Sequence, residues 1–151
     1  MSLTVKTAVV GAVGAAIGAL CTIAPALAAT PDAVAHPFSC SGSLGRYYTL
    51  QTVTGTLTGA RPSNVSVADY TGTVQRTVAR PTLDNAWWGG YWQTTYQTNQ
   101  WKLGHDASAR YYHLMLPQSR PGAAFTALLV TEFGAGGANG NWQNWMACTA
   151  G

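Results

Sequence analysis

The chain has 151 residues, of which only 9% are charged, and its formal net charge is +3. A length of this order holds one domain with a single core. The basic residues are spread along the sequence instead of grouped, which argues against a nucleic-acid partner, because such binding relies on clustered Lys and Arg to displace counterions.

Residues 1–28 read as a signal peptide. Lys6 is the only charge, an apolar stretch runs from Ala8 to Leu20, and Ala26-Leu27-Ala28 gives the small-x-small pattern of a cleavage site. A retained membrane anchor over 7–30 is the alternative, since that run is long enough to span a bilayer, but it is mostly Ala and Gly and lacks a basic flank. Leu20 stands before Cys21 where a lipoprotein signal needs a small residue. Cleavage after Ala28 removes Lys6 and Cys21 and leaves seven basic against five acidic residues, a balance of +2, with no remaining membrane span.

The mature chain then keeps Cys40 and Cys148, a pair expected to form one disulfide in an oxidising compartment. Closing a loop of roughly 100 residues removes unfolded-chain entropy worth about 4 to 5 kcal/mol. Two cysteines do not make a structural zinc site, and His36, His105 and His113 follow no zinc spacing, so no metal and no cofactor are expected.

Residues 29–39 are short, Pro-containing and expected to be loose, ahead of a single β-domain over 40–151. Runs rich in Thr, Val, Tyr and Trp alternate with breaks of Gly, Pro, Asn and Asp. The first run, Arg46 to Thr58, stops at a turn over Gly59 to Asn64. The second, Val65 to Ala79, is one long strand with a bulge or bend at Gly72. Pro81 to Gly90 is an irregular connection. Further strands are expected over Tyr91 to Thr98, with Leu103 as the alternative end, Arg110 to Leu116, Ala123 to Phe133 and Trp142 to Thr149. Gly134 to Gly140 runs into a strand instead of a helix N-terminus, so it reads as a hairpin loop and not a phosphate cradle.

Tyr112, Leu114 and Leu116 alternate onto one face of their strand, with His113 opposite. Phe125, Ala127, Leu129 and Phe133 share a face of the next, and Leu128 and Val130 take its other face, which places that strand centrally with cover on both sides. No segment shows helical periodicity, so little helix is expected. The fold class is all-β, an antiparallel β-sandwich or small β-barrel of six to eight strands.

Trp87-Trp88-Gly89-Gly90-Tyr91-Trp92, followed by Gln93, Tyr96, Gln97, Asn99, Gln100 and Trp101, is the densest chemical feature. Flat rings interleaved with amides suit a neutral polar ligand such as a sugar: the rings stack on C–H faces and the amides supply paired donors and acceptors. Strand periodicity assigns Trp92 and Tyr96 to the core. Adjacency turns Trp87 and Trp88 to opposite sides of an extended chain, so at least one meets solvent. The ligand-binding candidates are Trp87, Trp88, Tyr91 and Trp101.

Support for catalysis is thinner. His105, Asp106, Ser108, His113, Asp69, Asp84 and Glu132 are the available groups, but no nucleophile elbow, metalloprotease helix or paired-carboxylate motif organises them. Glu132 is expected at a strand end beside an arginine. Asn64-Val65-Ser66 is a formal glycosylation sequon, to which no modification is assigned. The reading is a secreted, non-catalytic binding module, extracellular or periplasmic, with a glycan or a protein as partner. A protein-interaction or inhibitor role through Arg61-Pro62 or Ser119-Arg120-Pro121 stands beside it, as does a small hydrolase around His105, Asp106 and His113.

Overall fold

Alternating apolar side chains build nine strands among the residues that a computed structural model describes, 34–44, 49–134 and 140–151. The signal peptide expected over residues 1–28, and most of the Gly134–Gly140 loop, lie outside the described residues. The strands are β1 (Ala35–Leu44), β2 (Thr49–Thr58), β3 (Arg61–Ala68), β4 (Val74–Val78), β5 (Thr82–Leu83), β6 (Thr98–His105), β7 (Arg110–Pro117), β8 (Ala124–Phe133) and β9 (Asn141–Ala150). A 3-10 turn, Trp87–Gly90, and a six-residue helix, α1 (Tyr91–Tyr96), stand between β5 and β6.

The strands form one antiparallel sheet in the order β4-β3-β2-β1-β9-β8-β7-β6-β5. The order is two meanders, β1–β4 and β5–β9, joined where the first and last strands pair. That seam is short: Phe38 to Ser41 lie against Ala147 to Ala150. The disulfide sits in it, since Cys40 and Cys148 are directly opposed, with Cα atoms 4.0 Å apart.

The sheet curls into a half-barrel around one apolar core. Phe38, Val53, Leu57, Val65, Val67, Leu103, Tyr112, Leu114, Leu116, Leu129 and Met146 fill it, drawn from β1, β2, β3, β6, β7, β8 and β9. The curl brings β4 against β6 through side chains in place of a backbone ladder. Arg76 Nε donates to the Leu103 carbonyl at 2.8 Å, and the Arg110 guanidinium donates to the Gln75 side chain. Gly104 has φ +81°, and a Cβ there would stand 3.1 Å from Arg76 Nη2, so glycine suits this approach in both conformation and space.

All-β architecture and antiparallel pairing agree with the sequence, and β7, β8 and β9 fall where periodicity puts them. Other elements differ. β1 begins at Ala35, inside the stretch expected to be loose, because it pairs along both edges, with β2 and β9. The turn after β2 is only Gly59-Ala60, and 61–64 already belong to β3. The single long strand expected over Val65 to Ala79 is a hairpin: Gly72, with φ +81°, lies in a turn where Asp69 Oδ1 accepts from the backbone N–H groups of Thr71 and Thr73. Register irregularities fall at Gly55, where a Cβ would meet the Phe38 ring at 2.7 Å, between Val67 and Ala68 in the β3–β4 ladder, and between Lys102 and Gly104 in the β6–β7 ladder. Tyr91 to Tyr96 is helical, not extended.

Candidate functional site: an aromatic box on the outer face

β8 is apolar on both faces, and the outer one needs a cover. Leu128, Val130 and Met115 of β7 form a second buried cluster there, closed by Trp92 with Trp87 beside it. The cover is the excursion between β5 and β6, pinned to the β6 edge by its first residues. Asp84 N–H donates to the Gln100 carbonyl at 2.8 Å, Asn85 Oδ1 accepts from Gln100 N–H at 2.9 Å, and Asn85 Nδ2 donates to Asn99 Oδ1 at 3.0 Å.

The chain then reverses through Trp88, Gly89 and Gly90, all at positive φ (52°, 62° and 76°). This left-handed run delivers Tyr91 into α1, and Gln97, at φ 52°, ends it. Thr98 Oγ1 donates to the Trp92 carbonyl at 3.0 Å, and Gln118 clamps the helix end through Gln93 O and Gln97 O.

Helical spacing puts Trp92 and Tyr96 one turn apart, and their rings stack at 5.3 Å and 26°. Trp88 tilts toward Trp92 at 37°, whereas Tyr91 stands at 77° to Trp92 and 78° to Tyr96. From β9, Trp145 meets Tyr96 edge-on at 64°. Trp88, Tyr91, Trp92, Tyr96 and Gln143 line an open cavity of about 310 Å³, with Trp92 buried at its base and no charged residue in its lining. The rings therefore make a box with steep walls, not a flat platform.

Beside the box, Trp87 stacks on His113 at 3.8 Å and 12°, and His113 Nε2 lies 3.3 Å from Glu132 Oε2. Glu132 is thus partnered by a histidine, not by the arginine expected from sequence. Burial under Trp87 drives the His113 imidazole below its ordinary pKa, although the Glu132 carboxylate opposes this. His113 Nδ1, Trp92 Nε1 and both amide atoms of Gln100 are buried and have no hydrogen-bonding partner among the described residues.

The hydrolase grouping is not assembled. Asp106 accepts from Ser108 N–H, Arg110 N–H, Arg110 Nε and Tyr112 OH in the β6–β7 turn, and His105 packs edge-on against Tyr111 at the surface. His105, Asp106 and His113 share no hydrogen bond with one another.

Of the four ligand-binding candidates, Trp88 and Tyr91 line the box, each 47% exposed. Trp87 is half-buried on His113, and Trp101 is only 5% exposed, inside the barrel core on the opposite face of the sheet. Tyr96, Gln143 and Trp145 were not among the candidates. The missed signal for the last two was period-2 alternation on β9, where Asn144, Met146 and Cys148 face inward and so turn Gln143 and Trp145 outward. No protein-family model, no curated protein and no solved structure matches this chain.

Proposed function

We propose that the protein is an exported, non-catalytic binding module that takes a neutral polar ligand, carbohydrate foremost, in the box of Trp88, Tyr91, Tyr96 and Gln143. The observation that carries this reading is exposed aromatic area around an uncharged cavity, with an amide at its edge. Aromatic faces offer sugar C–H groups a surface without water's competition, and the Gln143 amide can donate to one hydroxyl while accepting from another. A box with perpendicular walls suits one sugar ring, or a chain end, better than a run of rings laid along a platform.

Tryptophan-emission titration with neutral oligosaccharides tests the reading. Saturable change is expected for the native protein, with a loss of at least about tenfold in affinity for Trp88→Ala and Tyr91→Ala, the size expected when a stacking aromatic is truncated. Absence of any saturable change across neutral glycans, in protein that melts cooperatively, would sink it.

A further inference from the structure

Four of the seven prolines follow a basic residue: His36-Pro37, Arg61-Pro62, Arg80-Pro81 and Arg120-Pro121. The strand topology carries all four to one end of the half-barrel. His36 lies at the start of β1, Arg61 opens β3, Arg80 follows β4, and Arg120 sits between β7 and β8. Ala35 is paired with Thr58, Thr58 with Arg61, and Arg120 Nη2 reaches His36 Nε2 at 3.1 Å. Charge that is scattered in sequence is gathered in space.

Two cavities of about 320 Å³ each flank the β2–β3 turn at this end. His36, Leu57, Gly59, Arg120 and Pro121 help to line one; Thr58, Arg61, Pro62, Ser63, Arg80 and Pro81 line the other. The four described acidic side chains line neither cavity: Asp69 is in the β3–β4 turn, Asp106 in the β6–β7 turn, Asp84 on Lys102 and Glu132 on His113. Gly151, at the C-terminus, lines the first cavity, its main-chain oxygen 2.6 Å from His36 Nδ1, but not the second.

Arg61 and Arg80 differ from the other cations around the barrel. Arg76 is spent on the Leu103 carbonyl, Arg110 on Asp106 and Lys102 on Asp84. Arg61 and Arg80 make no side-chain hydrogen bond or ion pair among the described residues, yet they share one cavity with two hydroxyl side chains. A following proline confines the backbone of each to extended conformations. Pro62 and Pro81 are both buried, which fixes where the guanidinium stems begin.

From this we propose that the cavity between Arg61 and Arg80 is an oxyanion site, taking the sulfate, phosphate or carboxylate group of an acidic ligand. Two planar guanidinium forks on residues lining a common space match the paired oxygens of such a group, and no acidic side chain among the described residues lines that cavity to oppose their charge. The site is separate from the aromatic box and stands or falls independently of it.

NMR of the arginine Nε–Hε resonances, titrated with inorganic sulfate and separately with phosphate at constant ionic strength, tests the proposal. Saturable shifts confined to Arg61 and Arg80 are expected, with Arg76 and Arg110 unmoved. Arg61→Gln and Arg80→Gln should each weaken binding at least about fivefold, as loss of one charge-assisted pair requires. The double variant should abolish binding while keeping the native melting temperature, and Arg61→Lys/Arg80→Lys should retain a weaker site.

A sulfated oligosaccharide identifies the source of the group. Tighter binding than sulfate, competed by sulfate, assigns the site to a substituent on a larger molecule; equal affinity per sulfate assigns it to the free ion. Shifts that never saturate, that spread equally over all arginines, or that persist in the double glutamine variant would overturn the proposal. Titration with neutral glycans, read by tryptophan emission, reports on the box alone.

Discussion

Asp106 shows how one residue's environment replaces the role its type suggests. Its side chain is nearly all buried. Burial alone would raise its pKa, but backbone and side-chain hydrogen bonds from Arg110, the Tyr112 hydroxyl and the Ser108 N–H outweigh it, so the carboxyl is held below its ordinary value. Burial and the same carboxylate push the Tyr112 phenol upward. A carboxyl with a depressed folded-state pKa stabilises the fold fully above its unfolded value of about 4, and the contribution fades as pH falls toward the folded value. Asp106→Asn should therefore cost about 2 to 3 kcal/mol at pH 7 by urea denaturation, and the difference from native should shrink below pH 4. His113 carries the same sign in a different window. Its lowered pKa lets the unfolded chain bind a proton that the folded one resists, so stability is full above about pH 6.5 and declines as pH drops below it. Melting temperatures between pH 7.5 and 5.5 should fall in the native protein, with a shallower slope in His113→Gln.

At the scale of elements, period-2 alternation was legible in three consecutive strands of the second meander, but not in β1 or β3, although these also pair on both edges and bury one face. It located β7, β8 and β9 and the inward sets of Tyr112, Leu114 and Leu116, and of Phe125, Ala127 and Leu129. It misled over Tyr91 to Tyr96, whose aromatic and β-branched residues favour strand. There the left-handed turn at Trp88-Gly89-Gly90, together with burial of Trp92 on Met115, Leu128 and Val130, overrides local propensity. Half of the box was readable for the same reason: Trp88 and Tyr91 announce themselves by clustering, whereas Trp145 is distant in sequence and becomes a neighbour only through the β8–β9 ladder. Close approach of elements also fixes single glycines. A Cβ on Gly42 would stand 2.6 Å from the Trp145 carbonyl oxygen and 2.7 Å from Asn144 Oδ1. Gly42→Ala should thus push β1 from β9 and lose about 1 to 3 kcal/mol by chemical denaturation. Gly122→Ala, which meets nothing within 4 Å, should stay within about 0.5 kcal/mol of native.

For the whole molecule, the strand order makes the β1–β9 seam decisive. Each meander is held internally by ladders between sequence neighbours, but the two are joined in the sheet by one ladder from Phe38–Ser41 to Ala147–Ala150. Arg76 on the Leu103 carbonyl and Arg110 on Gln75 add side-chain links across the open side. Between residues 108 positions apart, the Cys40–Cys148 bond limits how far the unfolded meanders can separate. Chain entropy assigns a loop of that length about 4 to 5 kcal/mol, a large part of the stability of so small a domain. Cys40→Ser/Cys148→Ser should accordingly lower the melting temperature by roughly 15 °C or more. Hydrogen exchange distinguishes a clasp from a general stabiliser. If the bond acts at the seam, amides of Phe38 to Ser41 and Ala147 to Ala150 should lose protection first in the serine variant, while β6, β7 and β8 keep theirs until global unfolding. Uniform acceleration across both meanders would instead mean that the half-barrel opens only as one unit, and that the short ladder holds the seam without help from the sulfur bond.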